Sequence, residues 1–136
     1  MKECNILLVD DDEVYLFIMD KLIKSLSNDL KVSSFTDGEQ AVKFLSLCSE
    51  EHIKLPEVIF LDINMPFLDG WGFLVEFKKI KPLLHDKINI YMVSSSSRDE
   101  DIVRAAQFEE LTGYVIKPMD EDQLLEILTN IYADNW

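Results

Sequence analysis

The amino-acid sequence predicts one α/β domain, a doubly wound parallel sheet of five strands, each followed by a helix. Three observations predict it. Short apolar runs rich in β-branched residues alternate with longer segments of helical period, the pattern of parallel strands joined by helical crossovers. The runs at 5–9 and 58–61 are apolar without alternation, as strands covered on both faces must be. Polar residues able to do chemistry gather where such runs end.

Each element follows in order. Strand 5–9 ends in Asp10-Asp11-Asp12. Segment 13–26 steps Val14, Ile18, Leu22 and Leu26 four residues apart; its start is apolar nearly all round, which predicts a well-covered helix. The half-polar strand 30–35 reads as a sheet edge. Thr36 or Asp37 then caps a helix with Ala41, Val42, Leu45 and Cys48 on one face. Pro56 precedes strand 58–61, and a loop from Asp62 leads to Asp69-Gly70 and a helix with Phe73, Leu74, Phe77 and Ile80, stopped near Pro82. Strand 88–93, helix 98–108 and strand 113–116 follow. After Lys117-Pro118, a last helix is expected to bury Leu124, Leu125, Leu128, Ile131 and Tyr132. Right-handed crossovers place helices on both faces of the sheet. Nothing marks a linker, so residues 1–136 read as a single domain with no output domain behind it.

Composition narrows the function classes. At 48% hydrophobic and 29% charged, the 136 residues have the balance of a soluble globular protein. No apolar run approaches the roughly 20 residues of a membrane span, and the start Met1-Lys2-Glu3-Cys4-Asn5 has no signal-peptide core. A cytoplasmic protein is therefore expected. With 26 acids against 13 Lys plus Arg, a net charge of −13 repels nucleic-acid phosphates and argues against nucleic-acid binding. Cys4 and Cys48 fit no Cys-x-x-Cys spacing and read as buried thiols. His52 and His85 lie in polar connections and read as surface residues.

Ligands of a doubly wound sheet bind at the carboxyl ends of its strands. Those ends here carry Asp10-Asp11, Asp62, Ser94 and Lys117, which is acid, acid, hydroxyl and amine toward one edge. Two carboxylates about 5 Å apart repel by roughly 3 kcal/mol at an effective dielectric of about 20. Such a cluster calls for a counter-charge, and hard oxygen ligands suit Mg²⁺, which uses one or two carboxylates plus a phosphate. Without a neighbouring His or thiolate, zinc and copper are disfavoured. A Lys ammonium and a Ser hydroxyl beside the metal complete a site where a carboxylate becomes an acyl phosphate by in-line transfer.

Four segments then carry a resemblance: Leu7-Leu8-Val9-Asp10-Asp11-Asp12, Leu61-Asp62-Ile63-Asn64-Met65-Pro66 with Asp69-Gly70, Val93-Ser94-Ser95, and Gly113-Tyr114-Val115-Ile116-Lys117-Pro118. Together they resemble the signature segments of the receiver domains of two-component response regulators, across essentially the whole chain. The resemblance implies a flavodoxin-like (βα)5 fold with strand order 2-1-3-4-5. It implies a stand-alone receiver that takes a phosphoryl group on Asp62 from a histidine kinase or phosphotransfer protein, signals by protein contact or phosphorelay, and catalyses only its own phosphorylation and dephosphorylation. Asp11 and Asp62 would ligate Mg²⁺ directly, Asn64 through its backbone carbonyl, and Asp10 through water. Lys117 would pair with the phosphoryl group, across a cis Lys117-Pro118 peptide. Ser94 and Tyr114 would form the switch pair, the ring turning inward after the hydroxyl moves. Small Ser95 would leave the acceptor open, and a downstream protein would dock at helix 4, strand 5 and helix 5.

Plainer readings stand beside these. Asp12 reads as a helix N-cap, Tyr114 as an ordinary strand aromatic, and the stretch 64–70 as a turn. Phe67, Trp71 and Phe73 read as packing residues. Ser94 stands where the family more often has Thr. The segment 107–112 lacks the usual small residues, and the last helix has no Lys or Arg. A rival reading is a small haloacid-dehalogenase-like phosphatase with Asp10 as nucleophile, Asp12 as general acid, and Ser94 and Lys117 binding phosphate. It lacks a downstream Asp-x-x-x-Asp metal motif and leaves 62–66 unexplained. A flavodoxin would need a Ser/Thr/Gly-rich loop where three Asp stand. A receiver kept only as a scaffold would not need the full set of acids, hydroxyl and amine.

Overall fold

The computed structural model describes residues 4–132; the two ends of the expected 1–136 domain lie outside them. The elements are β1 (Cys4–Val9), α1 (Glu13–Leu26), β2 (Leu30–Phe35), α2 (Gly38–Glu50), β3 (Val58–Leu61), α3 (Gly70–Ile80) with a short 3₁₀ turn at Lys81–Leu83, β4 (Asn89–Ser94), α4 (Asp99–Ala106), β5 (Leu111–Ile116) and α5 (Glu121–Tyr132). The sheet runs β2-β1-β3-β4-β5 with every pair parallel. This is the predicted doubly wound, flavodoxin-like fold, with β2 at an edge.

Strand alternation divides the core. Leu7, Val9, Ile59, Leu61, Ile90 and Met92 point into one layer with Leu45, Phe73 and Leu74. Ile6, Leu8, Val58, Phe60 and Val93 point into the other with Met19, Ile23, Leu124 and Leu128. Cys48 and Cys4 are buried thiols, one in each layer, as read from the sequence. His52 and His85 are exposed at the surface, as expected.

Helix α1 departs from its expected cover. It buries Leu16, Met19 and Ile23, while Val14, Phe17 and Ile18 stand 68%, 63% and 57% exposed. Side chains four apart drift about 40° round a helix per step, so the stripe 14-18-22-26 winds off the core. Leu22 and Leu26 pack against it; Val14 and Ile18 do not. The same geometry leaves Leu125 42% exposed on α5, where Leu124, Leu128 and Tyr132 are buried. Phe67, expected to pack, is 86% exposed.

Two boundaries differ by two residues. Helix α4 ends at Ala106, because Phe108 leaves the helix to stack on Trp71, ring centroids 5.9 Å apart. Strand β5 starts two residues early, at Leu111, and the pairing Ile90↔Leu111, Tyr91↔Gly113 leaves Thr112 as an extra residue, a β-bulge. Among the described residues, no helix is long and apolar enough to cross a membrane.

Candidate functional site

The site is built at the carboxyl ends of β1, β3, β4 and β5. Asp10 is buried at the end of β1. Its Oδ1 accepts from the Asp12 backbone N–H at 2.9 Å, and its Oδ2 meets Lys117 Nζ at 2.6 Å. Asp12 Oδ1 accepts from the Val14 and Tyr15 backbone N–H groups at 3.0 and 3.1 Å. Asp12 is thus the N-cap of α1.

Asp62 follows β3, its backbone N–H donating to Val9 O at 2.9 Å. It is buried, and carboxylate oxygens of Asp10, Asp11 and Asp62 lie within 4.8 Å of one another. Burial and then the charge of Asp10 push the Asp62 carboxyl up to about 6, against an opposing pull from Lys117, whose Nζ is 3.8 Å away. One half-buried ammonium does not balance three clustered acids. The donor set is all oxygen, so it fits a hard divalent cation, and these three carboxylates are the residues able to hold one.

Lys117 emerges from β5, its backbone N–H donating to Ser94 O at 2.8 Å, and the Lys117-Pro118 peptide is cis, as the sequence implied. Its ammonium lies 4.2 Å from the centre of the Tyr15 ring. Burial, then Asp10 and Asp62, push the Tyr15 hydroxyl up to about 12. Nothing in the sequence singles out Tyr15 except its place on the first turn after the acids.

Ser94 is fully buried, and its Oγ accepts from the Ser96 backbone N–H at 3.1 Å. Tyr114 donates its hydroxyl to Ser96 O at 2.8 Å, and the Ser96 hydroxyl donates to Asp101 at 2.5 Å. The two predicted switch residues are thereby linked through one loop. Asp101 has no sequence signal beyond lying five residues from Ser96.

The loop after Asp62 is tightly closed. Leu68 N–H donates to Pro66 O at 2.7 Å, with Phe67 between them at φ 65°, a γ-turn of the strained hand. Gly38 N–H donates to Leu68 O at 3.0 Å and Gly70 N–H to Ile63 O at 2.8 Å. A Cβ at Gly70 would strike Asp62 O, and one at Gly38 would lie 2.6 Å from Leu68 O, so glycine is required at both approaches. Asn64 and Ser95 are exposed and line an open polar cleft with Ser96 and Asp101. A hollow of about 450 Å³ around Lys81, His85 and Glu110 sits at the opposite end of the sheet, away from this chemistry.

Comparison with known proteins gives the same assignment. Residues 6–129 match the model of the response regulator receiver domain. The probable methanogenesis regulatory protein FilR2 of Methanothrix harundinacea is 26% identical over 93% of this chain and 79% of its own length. The response regulator Rcp1 of Synechocystis is 26% identical over 93% of this chain and 84% of its own. The crystal structure of a two-component response regulator from Cytophaga hutchinsonii, 26% identical, superposes with a TM-score of 0.83 over 98% of this chain and 99% of that one. The signature segments, the strand order and the family match over nearly the whole chain agree: this protein belongs to the response regulator receiver domain family, signalling domains of two-component systems.

Proposed function

We propose that this chain accepts a phosphoryl group on Asp62, in a Mg²⁺-dependent reaction, and passes on a signal through protein contact or phosphorelay. The observation that carries the reading is the juxtaposition of Asp10, Asp11 and Asp62 with the Lys117 ammonium. The donor is a phosphohistidine on a histidine kinase or phosphotransfer protein. An Asp62 oxygen attacks phosphorus; the new O–P bond forms as the P–N bond to imidazole breaks, and the leaving nitrogen keeps its electron pair and takes up a proton. Asp11, Asp62 and the Asn64 carbonyl would hold the Mg²⁺ directly, and Asp10 through water. When bound, the cation supplies positive charge against the oxygens of the transferring group. Support for metal at such a site comes from Rcp1, for which a Mn(2+)-bound crystal structure exists.

The product adds negative charge at Asp62. Lys117 turns from Asp10 toward it, and the Ser94 hydroxyl rotates to donate to a phosphoryl oxygen. That rotation loosens the Ser94–Ser96 contact, to which the Tyr114 hydroxyl is tied through Ser96 O. The change spreads to α4, β5 and α5, where Val103, Ile116 and Leu125 are 58%, 44% and 42% exposed and offer a face for a downstream protein.

Incubation with Mg²⁺ and acetyl phosphate, followed by intact mass, tests the proposal beside Asp62→Asn. One phosphoryl increment on the native chain and none on the variant is the expected result. An increment that survives the change would move the nucleophile to Asp10, and no increment on the native chain would reduce the domain to a scaffold.

A further inference from the structure

The four-carbon stem of a lysine is flexible and its ammonium strongly hydrated, so a lysine that must serve two anions in turn needs something to keep it from solvent. Lys117 is enclosed. Asp10 Oδ2 lies at 2.6 Å and Asp62 Oδ1 at 3.8 Å, the lysine side chain is 20% exposed, and the Tyr15 ring lies 4.2 Å from Nζ. The ring is itself fixed from below, since the Tyr15 backbone N–H donates to Asp12 at 3.1 Å and the ring packs against the core layer of α1 and α5. An aromatic face attracts a cation without bonding it to one spot, so the ammonium is free to slide across it.

We propose that Tyr15 is a positioning residue for Lys117, its ring forming the wall along which the ammonium passes from Asp10 to the phosphoryl group on Asp62. The inference rests on Asp62 as acceptor, and the group that acts is the ring face, not the phenol hydroxyl. Asp12 takes part at one remove: the N-cap sets the first turn of α1, and the first turn sets the ring.

The test compares initial rates of acetyl phosphate labelling with saturating Mg²⁺ in the native chain, Tyr15→Phe, Tyr15→Leu, Lys117→Met and the Tyr15→Leu/Lys117→Met double variant. Tyr15→Phe should label at the native rate, while Tyr15→Leu should be slower by roughly 5- to 30-fold, the range of a partly desolvated cation–π contact. In the Lys117→Met background the same leucine should change nothing further, because residues acting through one another are not additive. A proton NMR spectrum of the unlabelled protein supplies a reading independent of labelling. The Lys117 ε-methylene protons should be shifted upfield by the ring in the native chain and Tyr15→Phe, and lose that shift in Tyr15→Leu. Additive losses, a Phe variant as slow as the Leu variant, or ε-methylene protons at an ordinary position would each overturn the inference. If the native chain takes no label but the upfield shift is present, the acceptor reading fails while the Tyr15–Lys117 contact stands.

Discussion

Asp62 sits where its own ionisation is opposed. Burial and Asp10 raise its carboxyl to about 6 from an ordinary 3.8, so the folded, metal-free protein holds this proton to higher pH than the unfolded chain does. The associated stability is fully present below the unfolded value near 3.8 and is lost as pH rises through about 6. At pH 7 ionised Asp62 therefore costs the fold up to about 3 kcal/mol, since every tenfold change in proton affinity is worth about 1.4 kcal/mol. Without metal, Asp62→Asn should melt above the native chain at neutral pH, with the gap narrowing as pH falls below about 6. Melting curves in a chelator across that range check it, and a gap that widened toward acid would contradict the burial argument. That Asp10, Asp11, Asp62, Ser94 and Lys117 come to one edge was legible in the sequence from their places at strand ends. Tyr15 and Asp101 were not: Tyr15 meets Lys117 across the fold, and Asp101 meets Ser96 through a loop conformation that a five-residue spacing does not specify.

At the scale of elements, the order and type of every strand and helix could be read, and so could the Asp37 cap, whose side chain accepts from Gln40 N–H. Faces were harder. Periodicity identified α1 as a helix but not which apolar side faces inward, since apolar residues surround its first turns. The structure turns Met19 to 2% exposure and leaves Phe17 at 63%. Met19→Ala should consequently cost about 2–5 kcal/mol as a core truncation, while Phe17→Ser should stay within about 0.5 kcal/mol of the native chain. Denaturant unfolding of the two variants separates the cases, and comparable losses would mean that α1 packs in the other orientation. The end of helix α4 and the bulge in β5 escaped the sequence for a related reason: the Trp71–Phe108 stack ends the one, and the Tyr91 register sets the other. Both are long-range contacts.

For the whole molecule, the fold class and strand order followed from alternation and from the resemblance, while the net charge of −13 has a consequence for stability as well. Exposed pairs such as Lys43–Glu39 and Lys24–Asp20 contribute little individually, and the surplus acids repel one another in the compact state. Raising NaCl from about 0.02 to about 0.5 M shortens the screening length several-fold and should raise the melting temperature in the presence of chelator. A melting temperature that fell with salt would show that attractive pairs outweigh the repulsion.

The sheet is also a partition. Tyr114 belongs to the layer on one side and Tyr15 to the layer on the other, yet both reach the same carboxylate-rich edge, one through Ser96 and one through Lys117. A single covalent event at Asp62 would therefore be heard in two rooms, α4 through one wall and α1 through the other. A lesion confined to one layer should silence one listener and leave the second in earshot.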